Sequence, residues 1–184
     1  MSGLYLGLIG LMATLIFVIA PPSTIKPDTG VGAAFLAYLA IVFLKVLLDD
    51  AAHFADKKKN GENWAHGLGL CILWNLFILD AIRVSTVDFD RSIVYAVLGQ
   101  LIGTVWIIQN YLHKTPEAGS DERQRHTAWG YINCLNIAAL TVMGTYSATA
   151  PMELVIAVFI LLSLITLYDF LRFGTLQRVR DAYN

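Results

Sequence analysis

The chain has 184 residues, of which 57% are hydrophobic and 15% charged, and its mean hydropathy is +0.60. Soluble domains typically carry about 25% charged residues, so this composition excludes an ordinary soluble fold and predicts an integral, multi-pass membrane protein whose first partner is the lipid bilayer. The formal net charge of −1, with the one dense basic cluster at Lys57, Lys58 and Lys59, leaves no case for nucleic acid binding.

In chain order, residues 4–20 form an apolar run broken only by Gly7, Gly10 and Thr14 and stopped by Pro21-Pro22, which cannot continue a helix. The run lacks the basic start and small-residue cleavage pattern of a signal peptide, so a retained first span is expected. A turn-forming stretch from Ser23 to Gly30, with Pro27 and Asp28, precedes a second helix over 31–56. That helix is apolar to Leu44 and then amphipathic, because nothing between Lys45 and Asp56 breaks it before Asn60-Gly61. A third helix is predicted over 63–83, and a fourth over 91–113, where Gly99 and Gly103 form the G-x-x-x-G spacing that admits a closely approaching neighbour. The fifth, over 126–146, has His126, Trp129, Asn133 and Asn136 on one face, and the sixth, over 152–173, begins after Pro151. A short basic amphipathic tail follows.

The predicted architecture is therefore an all-α bundle of six transmembrane helices in one domain, 1–184. Lys57, Lys58, Lys59, Lys114, Arg123, Arg125, Arg172, Arg178 and Arg180 fall on the side of the two termini, against Lys26, Arg83 and Arg91 on the other. Nine basic residues against three place both termini in the cytoplasm of a bacterial-type inner or plasma membrane. The same topology gathers all four histidines at the cytoplasmic ends of their helices.

The chemistry concentrates in the second helix. At about 100° per residue, Tyr38, Lys45, Asp49, His53 and Asp56 fall within roughly an 80° arc, with Asp50 pointing elsewhere. Lys45 and Asp49, spaced i, i+4, pair either as a snorkelling helix end or as the lining of a hydrated vestibule. Asn75, Gln100, Thr104, Asn133 and Asn136 on three other helices predict a polar seam deeper in the bundle. Asp80 with Arg83 and Asp169 with Arg172 repeat one i, i+3 pattern, read either as helix-end salt bridges or as an echo between inverted halves.

A second reading uses Asp49, Asp50, His53, His66, His113 and His126 as ligands for a divalent metal such as zinc, iron or manganese. The run Asp49-Asp50-x-x-His53-x-x-Asp56 resembles the aspartate-rich motifs of prenyl-transferring membrane enzymes, but it has a central histidine and no second such run. Cys71 and Cys134 sit in apolar segments and read as small hydrophobes. Three functions follow. The first is a channel or transporter for ions or a small polar solute; the second is an enzyme acting on a lipid or isoprenoid at the cytoplasmic face; the third is a non-catalytic subunit of a larger complex. Small-residue faces at Gly3, Gly7 and Gly10 and at Gly99 and Gly103 predict a homo-oligomer or membrane complex.

Overall fold

A computed structural model of the protein describes Gly7, Gly10 and residues 30–55, 64–85, 88–113, 119–146 and 149–183. The described part is helical: α1 (Gly30–Ala55), α2 (Trp64–Val84), α3 (Phe89–His113), α4 (Asp121–Tyr146), α5 (Met152–Arg172) and α6 (Thr175–Tyr183). The predicted first span, 4–20, lies outside the described residues apart from Gly7 and Gly10. Four stretches, Gly30–Phe54, Gly67–Val84, Phe89–Gln109 and Met152–Arg172, are long and apolar enough to cross a membrane. Helix α4 is as long as α1, but its first turns are charged, and it is not among the four.

Two helices begin earlier than predicted because a polar residue caps them. The Asp88 carboxylate accepts from the Arg91 backbone N–H at 3.0 Å, starting α3 at Phe89. Ser120 does the same for α4, its hydroxyl accepting from the Arg123 backbone N–H at 3.3 Å, so the helix starts at Asp121 rather than His126. The predicted tail is the separate helix α6, turned away from α5 at Gly174, whose φ of 56° is the left-handed value glycine adopts without strain.

Neighbouring long helices run antiparallel, as shown by which ends meet. The Ser92 hydroxyl at the start of α3 donates to the Ala81 carbonyl near the end of α2 at 2.6 Å. Ile93 lies against Gly144 near the end of α4, while Trp106 meets His126 near its start. Helices α1 and α5 are parallel: Phe35 and Phe159 pack with ring centroids 4.8 Å apart at one end, and Lys45 reaches Asp169 at the other.

The G-x-x-x-G of α3 is occupied inside the chain. A Cβ on Gly103 would stand 2.7 Å from the Trp74 ring, and one on Gly99 would stand 2.9 Å from Ile78, so these glycines seat α2 against α3. The core divides into an aromatic end, with Phe35, Tyr38, Phe89 and Phe159, and a polar end around Lys45 to Phe54. Outward faces carry Leu44, Val94, Val105, Ile108, Leu161 and Leu164, each more than half exposed, an apolar surface compatible with lipid contact.

A candidate ion site at the polar end of the bundle

Lys45 is drawn inward. Its ammonium lies 2.7 Å from Asp49 and 2.9 Å from Asp169, and the three side chains are 11%, 6% and 3% exposed respectively. It also stands over the Trp129 ring, 4.9 Å from the centroid, so the charge is enclosed on three sides. The other oxygen of Asp49 faces α6: it accepts from the Thr175 hydroxyl at 2.7 Å and pairs with the Arg178 guanidinium. Two carboxylates and two cations thus tie α1, α5 and α6 together, which is how charges taken out of water are kept tolerable. At the foot of α4, ahead of its apolar part, Arg125 is held below the usual guanidinium range, first by burial and then by Arg178.

Above this cluster the helices enclose a cavity of about 30 Å³, room for one or two waters or one small ion. Its wall is formed by Lys45, Asp49 and Asp50 from α1, Gln100 from α3, Asn133 and Asn136 from α4, and Thr166 from α5. Trp74, Trp106 and Trp129, with Val42, Val46 and Ile132, supply the apolar remainder. Among the described residues, the Asn136 side-chain oxygen and the Asn133 amide nitrogen are buried with no hydrogen-bond partner. Buried amide groups on residues that line a small space are the kind that water or an ion within it would satisfy.

Most of the predicted pathway residues meet here. Gln100, Asn133 and Asn136 are each at most 5% exposed, and all three reach the cavity. Tyr38 is fully buried one level deeper, beside Gln100 and among Phe35 and Phe159. Thr104 does not join: its hydroxyl donates to the Gln100 carbonyl of its own helix at 2.8 Å. His53 packs edge-on to Trp106 at 5.3 Å, and His126 is buried against Trp106 and Trp129. Asp56 and the side chains of His66 and His113 lie outside the described residues. Among the described residues no three of His, Cys, Asp and Glu gather to hold a metal ion.

Three features depart from the sequence expectation. Asp50, off the predicted stripe, is nevertheless buried and lines the cavity, because α2 covers that second face with Asn75 at 3.5 Å and Cys71 alongside. Asp169 does not form the helix-end pair with Arg172 that Asp80 forms with Arg83 at 2.9 Å; it turns inward to Lys45. Thr175 and Arg178 of the tail complete the cluster. A signal for Asp169 does exist in the sequence. Val155, Phe159, Leu162, Thr166 and Asp169, the buried residues of α5, recur at alternating steps of four and three, so the acid continues an inward-facing stripe. Comparison of the chain with family models, with curated proteins and with solved structures finds no match.

Proposed function

We propose that the protein is a channel or transporter for a small ion, spanning a bacterial-type inner or plasma membrane six times with both termini in the cytoplasm. The observation that carries this reading is the cavity, where the paired side chains of Lys45 and Asp49 border a space also lined by the buried amides of Asn133 and Asn136, which have open hydrogen-bonding atoms among the described residues. Its size narrows the class of solute. Sites for drug-sized organic ligands run to about 300–1,000 Å³, whereas about 30 Å³ fits an ion with little of its hydration shell. A lipid or isoprenoid substrate is accordingly the poorer fit.

Six spans are supported by the way α4 is built. Its polar residues His126, Asn133 and Asn136 are buried, leaving Leu135, Val142 and Tyr146 among those facing outward, so a helix too polar by composition still presents an apolar side to lipid. A homo-oligomer or larger membrane complex is the proposed assembly, using the small-residue face of Gly7 and Gly10 because Gly99 and Gly103 are covered within the chain.

The test is flux of alkali cations, protons and chloride, measured separately in liposomes containing purified protein. Wild type should conduct one of them well above empty liposomes, and Asp49→Asn should reduce that flux roughly tenfold, the effect of losing a charge-assisted contact. Liposomes no more permeable than protein-free controls to all three, or wild-type flux in Asp49→Asn, would overturn the proposal.

A further inference from the structure

Asp49 faces two ways. One carboxylate oxygen holds Lys45 at 2.7 Å beside the cavity, and the other holds α6, through the Thr175 hydroxyl at 2.7 Å and the Arg178 guanidinium. Thr175 and Arg178 are spaced i, i+3, so both fall on the one face that α6 presents to α1, and Arg178 also donates to the Thr175 hydroxyl at 3.1 Å. A nine-residue helix is thus laid over the outer side of a carboxylate whose inner side lines the cavity. Its departure would uncover one oxygen of that carboxylate.

That helix is lightly attached. Nine residues are too few for a helix to hold itself together in water, where even about 12–15 are marginal, so α6 depends on its docking. Yet of its described side chains only Thr175 is buried, while Leu176, Gln177, Arg180 and Asp181 face outward. The docking is also imperfect. The Arg178 Nε is buried with no hydrogen-bond partner among the described residues, and Arg125, held below the usual guanidinium range by burial and then by Arg178, repels the docked arginine. A pivot stands at the junction with α5: Gly174 has a φ of 56°, and a Cβ there would meet only the Gln177 Cβ at 3.8 Å, so no packing clasps the joint. Segments with few buried apolar contacts open at the low end of a protein's local stabilities. We propose that α6 is a releasable strap over the Asp49 end of the cavity, and that its undocking about Gly174 is the step that admits ions and water to the site. The assignment rests on the cavity being the ion site proposed above.

Three readouts on the full-length protein test the strap. In mild detergent, hydrogen–deuterium exchange should be at least about tenfold faster in the amides of α6 than in those of α5. Access is read with Ag⁺, a thiol-reactive ion small enough for the cavity, on Asn136→Cys in a Cys71→Ala, Cys134→Ala background, by counting the thiols left free after denaturation. Thr175→Val should speed that modification roughly fivefold and Arg178→Gln roughly tenfold, the usual worth of a hydrogen bond to a charged group. In liposomes the same two substitutions should raise flux by similar factors. Arg180→Gln removes the same charge from α6 at an exposed position away from Asp49 and should change neither. Unchanged exchange in α2 and α3 shows that a variant is folded, and Thr175→Val, nearly isosteric, decides where Arg178→Gln fails that check. Modification at the wild-type rate in Thr175→Val, equal acceleration by Arg180→Gln, or α6 amides as protected as those of α5 would each overturn the strap. Faster modification in a protein that shows no flux upholds the strap and rejects the transport reading; flux that both substitutions leave unaltered does the reverse.

Discussion

Removing Lys45 should damage the protein more than removing either of its acids, and the damage should be partly reversible by removing Asp169 as well. In Lys45→Met, Asp49 keeps Arg178 and the Thr175 hydroxyl on its other oxygen, but Asp169, at 3% side-chain exposure, loses the ammonium 2.9 Å away. Breaking a buried pair by deleting one member costs about 3–5 kcal/mol, because the remaining charge is left uncompensated. Asp169→Asn is milder, about 1–3 kcal/mol, since Lys45 still holds Asp49 at 2.7 Å. The double variant restores charge balance, so its loss should fall short of the sum by about 1–3 kcal/mol, the coupling typical of one charge network. Unfolding in mixed detergent micelles, followed by circular dichroism for all four proteins, measures the cycle. Losses that add to within about 0.5 kcal/mol would mean that Lys45 and Asp169 act independently, and the described network would be refuted.

Gly103→Ala places a methyl group 2.7 Å from a Trp74 ring that has little room to move, and should lower stability by about 1–3 kcal/mol. Gly130→Ala, which meets no atom within 4 Å, should instead be neutral or stabilising by up to about 1 kcal/mol, and paired thermal melts read the contrast. Reporters fused after Asn184 and inserted at Gly119 should report cytoplasm, and one near Thr86 the outside; an external signal at Gly119 contradicts six spans. His53→Gln should lower flux severalfold, because the imidazole packs edge-on at 5.3 Å against Trp106, which lines the cavity. Wild-type flux in His53→Gln removes His53 from the path.

The apolar runs were enough to locate α1, α2, α3 and α5, because a stretch of about 20 apolar residues has few fates other than a helix in lipid. The Lys45–Asp49 contact was legible for a different reason: four residues along a helix are neighbours whatever surrounds them. Asp50 shows the limit of such reasoning. Its angle on α1 was readable, but whether that face meets lipid or α2 depends on how helices far apart in sequence pack. Asp169 shows another limit. Local spacing offered it Arg172, and tertiary structure offered it Lys45 in a drier place; the deeper contact won. The N-caps at Asp88 and Ser120 lay in plain view and carried the starts of α3 and α4 beyond the apolar boundary. Thr175 and Arg178 had no comparable signal, since nothing in a basic tail states that it folds back onto a particular carboxylate.

The ion cluster also sets an order to biogenesis. Asp49 and Arg178 are separated by 129 residues, so at about 5–20 residues per second the ribosome delivers the second on the order of ten seconds after the first. During that interval α1 has Lys45 and Asp49 for each other and neither Asp169 nor Arg178. In a bilayer that charged end would stay near the headgroups, reaching water, until the later helices are in place. Only when α5 and α6 arrive does a low-energy place exist for these charges inside the bundle, which makes their withdrawal from the surface a late step of assembly.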